Sequence, residues 1–96
     1  MSVYVVADIH VTDEAVYARY RELHAPILAQ FGGKFVARTT QVRSLEGVWP
    51  TDRIVIIEFP SKESALRWWS SAEYAPVKQL RTSATATRMI LVEGVG

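Results

Sequence analysis

The chain has 96 residues, 49% of them hydrophobic, with 11 basic and 10 acidic side chains for a formal charge of +1. That length supports one hydrophobic core and leaves no room for a separate catalytic domain, so residues 1–96 are expected to fold as a single domain. Charge that is nearly balanced and interspersed argues against nucleic-acid binding, and the absence of cysteine excludes disulfides, thiolate nucleophiles and sulfur-ligated zinc while fitting a reducing compartment such as the cytoplasm.

The amino-terminal stretch Met1 to His10 is apolar but interrupted by Asp8, and it lacks the basic-then-apolar order of a signal peptide. No apolar run approaches the roughly 18 residues of a membrane helix, so no membrane partner is expected. Instead Val3 to Val11 reads as a strand. Its odd positions Val3, Val5, Ala7, Ile9 and Val11 are all apolar, whereas Tyr4, Val6, Asp8 and His10 are mixed.

Thr12 or Asp13 then offers a helix N-cap. Val16, Tyr20, Leu23, Ile27 and Phe31 follow at helical spacing up to Gly32-Gly33, a glycine stop at which the chain is expected to turn through positive φ at Gly33. Pro26 is expected to kink this helix. Lys34 to Val42 and Arg53 to Phe59 are the second and third strands, joined through a turn region holding Gly47, Trp49 and Pro50. Pro60-Ser61 closes the third strand and caps a second helix running through Trp69. Ser70 and Glu73 have capping-box spacing for a further helical turn, Pro76 suits the start of a last helix towards Arg81, and Thr87 to Glu93 is the final strand.

Strand, helix, strand, strand, helix, strand is the ferredoxin-like βαββαβ order of α+β proteins, a four-stranded antiparallel sheet with helices on one face. Its two central strands are the first and third, here the most apolar. The third is apolar on both parities, through Val55, Ile57 and Phe59 and through Ile54 and Ile56. The helices can cover only one of those faces, so the other is expected to meet a second copy of the chain.

A set of segments then carries a family resemblance: Phe31-Gly32-Gly33-Lys34-Phe35, Leu45-Glu46-Gly47, Arg53 through Ser61, Trp68-Trp69, and Ser71-Ala72-Glu73-Tyr74 before Arg81. Together with Thr12-Asp13 ahead of Tyr17 and Tyr20, they resemble domain-of-unknown-function family 1330 over nearly the whole chain. The resemblance implies a dimeric α/β barrel, two ferredoxin-like sheets packed face to face. It also implies membership of a superfamily that holds cofactor-free monooxygenases, haem-degrading enzymes, muconolactone isomerases and stress-response proteins. It transfers a fold and no catalytic list.

Signatures of nucleotide cofactors, metal-binding histidine pairs and nucleophile elbows are absent, so no cofactor and no metal are expected. Polar residues inside apolar strands draw attention instead: Asp8, His10, Arg38 and Glu58. A hairpin symmetric about Val48 would set Arg38 opposite Glu58 as an ion pair on one sheet face, with Asp8 and His10 on the same side. Such a cluster either fixes dimer register or forms the polar floor of a ligand cavity in which Glu58 or His10 moves protons. His24 shares a helix flank with Tyr17 and is expected to be half-exposed, or else a further proton-transfer candidate.

Trp68 and Trp69 point about 100° apart. One of them, with Tyr20, Tyr74 and Phe59, either packs the core or walls a cavity. By the resemblance Arg81 matches an anion-facing position of the family, while as an arginine at a helix C-terminus it also suits the helix dipole with no ligand. Tyr20, Arg38, Trp69, Tyr74 and Arg81 are therefore the ligand-binding candidates, and His10, His24 and Glu58 the catalytic ones. Three functions follow: a homodimer binding a small, partly aromatic or acidic molecule in a helix-to-sheet cavity; a cofactor-independent enzyme of monooxygenase or isomerase type; or a structural or stress-response dimer without catalysis.

Overall fold

The computed structural model describes residues 1–95. Strand β1 (Val3–Val11) leads into helix α1 (Glu14–Gln30), followed by β2 (Lys34–Thr39), β3 (Ile54–Phe59), α2 (Lys62–Ser70), α3 (Tyr74–Ala84) and β4 (Thr85–Glu93). The antiparallel sheet has the order β2-β3-β1-β4, which places β1 and β3 at its centre as their apolar composition requires. All helices lie on one side, and the molecule is 16 Å across its thin axis, the depth of two layers.

Parity sorts the central strands. Val3, Val5, Ala7 and Ile9 of β1, with Val55, Ile57 and Phe59 of β3, face the helices and are at least 95% buried. The even positions Tyr4, Val6, Asp8, Ile54, Ile56 and Glu58 face away and stay half-exposed, with Ile90 and Val92 of β4 beside them on the same face.

Local signals set the element ends. The Asp13 carboxylate accepts the Val16 N–H at 3.1 Å to cap α1, and the Ser61 hydroxyl accepts the Ser64 N–H at 3.1 Å to cap α2. The turn ahead of α3 is held by Ser71 and not Ser70: the Ser71 hydroxyl accepts the Tyr74 N–H at 3.1 Å, while the Ser70 hydroxyl turns back to the Leu66 carbonyl. α1 continues through Pro26 to Gln30. It ends where Gly32 and Gly33 donate to the Ala29 and Leu28 carbonyls, the paired bonds of a Schellman stop.

The positive φ of that stop falls at Gly32 (+79°) and not at Gly33. Gly33 serves a different need, because a Cβ there would sit 2.5 Å from Leu28 Cδ1 and 2.9 Å from Phe59 Cε1. The two glycines divide the work of the turn: one supplies the backbone conformation, the other the close approach of α1 to β3.

The buried ridge of α1 is Tyr17, Tyr20, His24 and Leu28, with Val16, Leu23, Ile27 and Phe31 on its flank. Counting only aliphatic and phenyl side chains rotates the stripe by one position, which is why His24, expected half-exposed, is 3% exposed.

The β2–β3 hairpin departs most from expectation. Lys34 opposes Glu58, and a one-residue bulge between Phe35 and Ala37 then sets Arg38 opposite Val55. The Arg38–Glu58 ion pair therefore does not form. Arg38 lies over the Phe35 ring on the helix side, whereas Glu58 lies on the open face against Lys34, 3.4 Å away. The hairpin is centred near Glu46 and not Val48, so Glu58 meets Lys34 whether or not β2 is bulged, and the bulge decides only the face on which Arg38 lies; no residue of Lys34–Thr39 marks it in advance.

Candidate functional site

His24 sits at the centre of the helix-to-sheet layer. Its ring stacks on Tyr20 with centroids 5.0 Å apart, tilts against Tyr74 (5.1 Å) and Trp68 (5.6 Å), and meets the edge of Phe35 (6.3 Å). The Trp68 indole Nε1–H donates to His24 Nε2 at 3.1 Å. That bond occupies the Nε2 lone pair, so the neutral ring carries its proton on Nδ1. Burial, then the positive charges of Arg81 and Arg38, lower the His24 pKa to about 4.

Beside it, the Tyr20 and Tyr74 hydroxyls are 3.0 Å apart and Arg81 Nε donates to the Tyr74 oxygen at 3.4 Å. Burial and the neighbouring Tyr74 push the Tyr20 phenol far above its ordinary pKa, so it remains a neutral hydroxyl. Arg81 is only 4% exposed, yet among the described residues no carboxylate pairs with it. Fully enclosed side-chain nitrogens and oxygens all have partners there. Among the described residues no protein group bonds to the Nη atoms of Arg81 or to Nδ1 of His24, so these atoms open on free space.

That space is a cavity of about 20 Å³ bordered by Tyr20, His24, Phe35, Arg38, Trp68 and Arg81, room for a single water. Arg21 and Arg38 border both this cavity and an outer recess of about 260 Å³, whose other walls are Thr39, Thr40 and Arg53. The two adjoin at Arg21 and Arg38, and we refer to them together as the cleft, narrow and aromatic within, wide and basic at its mouth.

Four sequence candidates, Tyr20, His24, Tyr74 and Arg81, meet in the interior, and Arg38 joins them because of the bulge. The rest lie elsewhere. Trp69 points outward, with Lys78 Nζ 3.9 Å from its ring centre, and lines a separate apolar groove of about 280 Å³ between α2 and β4. His10 is exposed on the open sheet face and pairs with Asp52. Glu58 lies on the same face at the other end of β1, its carboxyl held below the ordinary range by hydrogen bonding from Ser2, then by Lys34 and Tyr4. Asp8 takes hydrogen bonds from Thr51 and Arg88, which lower its pKa in the same way. Asp8 and His10 thus do share one side, with Thr51, Asp52 and Arg88 in a common recess of about 730 Å³ on the open face, whereas Glu58 lies apart with Lys34 and Arg38 lies on the other face.

Trp68 as the partner of His24, and Arg21 and Arg53 at the mouth, were missed from the sequence. Two signals were available: Arg21 follows Tyr17 by one helical turn, and Arg53 shares the odd parity of Val55 and Ile57.

The sheet order, the one-sided helices and the cleft define a ferredoxin-like α+β protein. More particularly, residues 2–95 match the family described as Domain of unknown function (DUF1330), and the chain belongs to that family. Similar solved structures include the RPA0582 protein of unknown function from Rhodopseudomonas palustris, 18% identical, with a TM-score of 0.83 over 99% of this chain and 83% of that one. SnoaB, a cofactor-independent oxygenase from Streptomyces nogalater, is 18% identical, with a TM-score of 0.67 over 99% of this chain and 94% of that one. A dimeric ferredoxin-like protein of unknown function from Jannaschia sp. CCS1 is 10% identical, with a TM-score of 0.67 over 98% of this chain and 100% of that one. At these identities the likeness is one of fold. No curated protein matches the chain.

Proposed function

We propose that residues 1–96 act as one domain of a homodimer, and that each protomer binds a small organic molecule in the cleft between α1, α3 and the sheet, with Tyr20, His24, Arg38 and Arg81 facing it and the fully buried Tyr74 behind them, holding Tyr20 and Arg81. The observation that carries this reading is Arg81. No carboxylate among the described residues pairs with this guanidinium, Tyr74 accepts only from its Nε, and its Nη edge opens on the cavity, where an anion would stabilise it.

A residue kept for a ligand is dispensable to the fold. Arg81→Met should therefore melt at or above the wild-type temperature while losing the response of the Trp68 indole N–H signal to a mixture of small organic fragments. A large loss of stability with an unchanged fragment response would overturn the reading and make Arg81 a structural brace for Tyr74.

Dimerisation through the open sheet face is supported by its half-exposed Val6, Ile54 and Ile56, by the 61% exposure of Ile90, and by the neighbour described as dimeric. The cysteine-free composition suits work in the cytoplasm. No helix among the described residues is long and apolar enough to cross a membrane.

Proton-transfer chemistry without a cofactor, after the oxygenase neighbour, is the second reading, favoured by the free Nδ1–H of His24. In it His24 would donate a hydrogen bond to a developing oxyanion. It would not serve as a base, because its Nε2 is occupied and its pKa is far below neutrality.

A further inference from the structure

The mouth of the cleft brings three guanidiniums together. Arg21 lies over the Tyr17 ring at 5.6 Å and Arg53 over the same ring at 4.9 Å, while Arg38 lies over Phe35 at 4.5 Å. Among the described residues no acidic side chain pairs with any of them. Resting a guanidinium on an aromatic face fixes its plane and leaves its N–H edge free, the arrangement that suits bidentate capture of an oxyanion. Three like charges around one recess repel one another, and the unpaired Arg81 adds a fourth at the inner end. Thr39 and Thr40 complete the recess wall without adding an acidic group. The whole chain has a charge of only +1, so this positive pole is local.

We propose that the cleft takes a small organic oxyanion, a carboxylate or a phosphate monoester on a compact planar body, with its acid group held among Arg21, Arg38 and Arg53 and its body directed towards Tyr20 and His24. The inference rests on the cleft being the ligand site and adds the ligand's chemical class. A recess of about 260 Å³ accommodates a single-ring acid and excludes a polymer wrapped around the protein.

Benzoate, phenyl phosphate and the neutral isostere benzamide serve as probes, each titrated into the intact protein at millimolar concentration. The readouts are the melting temperature, the Trp68 indole signal and the His24 ring signals. The acids should raise the melting temperature and shift Trp68 saturably, benzamide should not, and added sodium chloride should weaken the effect. Occupancy should also raise the His24 pKa, since it offsets the field of Arg38. The stronger of the two acids identifies the headgroup.

Arg38→Gln and Arg53→Gln should each weaken acid binding about tenfold or more. An equal response to benzamide and benzoate would overturn the acid assignment and leave the cleft reading standing. Silence towards all three probes would remove both. Acid binding that survives both arginine substitutions would also overturn the assignment, by placing the anion elsewhere.

Discussion

Trp68 donates its indole hydrogen to His24 across 44 positions of sequence, and this one bond sets the protonation state of the most buried titratable base in the protein. Because Nε2 accepts, charging the ring would require breaking that bond or placing a proton where the indole hydrogen already sits. The histidine is a neutral donor built into the core.

Stability should depend on pH accordingly. The ordinary histidine pKa is near 6.5 and that of folded His24 is about 4, so the unfolded chain takes up the proton first. The contribution is fully present above pH 6.5, declines as the pH falls towards 4 and is flat below it. Its size is roughly 3 kcal/mol. Urea midpoints measured from pH 7 to pH 4 should show this decline, and His24→Leu should flatten it. A His24→Leu variant with the same pH profile as wild type would show that another group is responsible.

The glycine pair at the end of α1 should separate by mechanism. Gly32→Ala should cost about 1–2 kcal/mol for its positive φ, and Gly32→Asn less, since asparagine tolerates that conformation. Gly33→Ala should cost about 1–3 kcal/mol by overpacking against Leu28 and Phe59. Its effect should be partly relieved in combination with Leu28→Ala, which removes the colliding methyl. Strict additivity of those two changes would mean that the collision is not the cause.

Much of this architecture was legible in the chain. β1 falls on the expected residues because strict alternation leaves one solution, and Ser61 and Asp13 announce the helices they cap. The site was half legible. Tyr20, Tyr74 and Arg81 lie on helices whose phase is set by neighbours, so their convergence could be anticipated. His24 reads as half-exposed because a histidine scores as polar until its partner is known, and that partner comes from a distant helix. The opposition of Arg38 to Glu58 fails for a different reason. A bulge changes which face a residue occupies, and it is fixed by how β2 meets β3 and not by the composition of β2.

That register makes a prediction of its own. Arg38→Met and Glu58→Leu should combine additively in stability, since the two side chains leave opposite faces of the sheet. Lys34→Met and Glu58→Leu should show a small, salt-sensitive coupling typical of an exposed pair. A strong coupling between Arg38 and Glu58 would contradict the bulge.

The open face supplies the last prediction. Ile56 lies on the central strand β3, opposite Val6 in β1 and Ala37 in β2, with its side chain directed away from the helices and half-exposed. Its neighbour Ile57 faces the helices and is 3% exposed. A specific interface of two such sheets should bury at least about 1,200 Å² in total, and an arginine at its centre would be desolvated without a partner. Ile56→Arg should therefore shift the sedimentation mass from two chains to one at micromolar concentration and leave the circular dichroism and the Trp68 indole signal of a folded protomer intact. Ile57→Arg should unfold the protomer itself, because the same charge would enter the helix-to-sheet core. A wild-type protein that sediments as one chain, or an Ile56→Arg variant that stays paired, would exclude this face as the interface and leave its apolar centre to another partner.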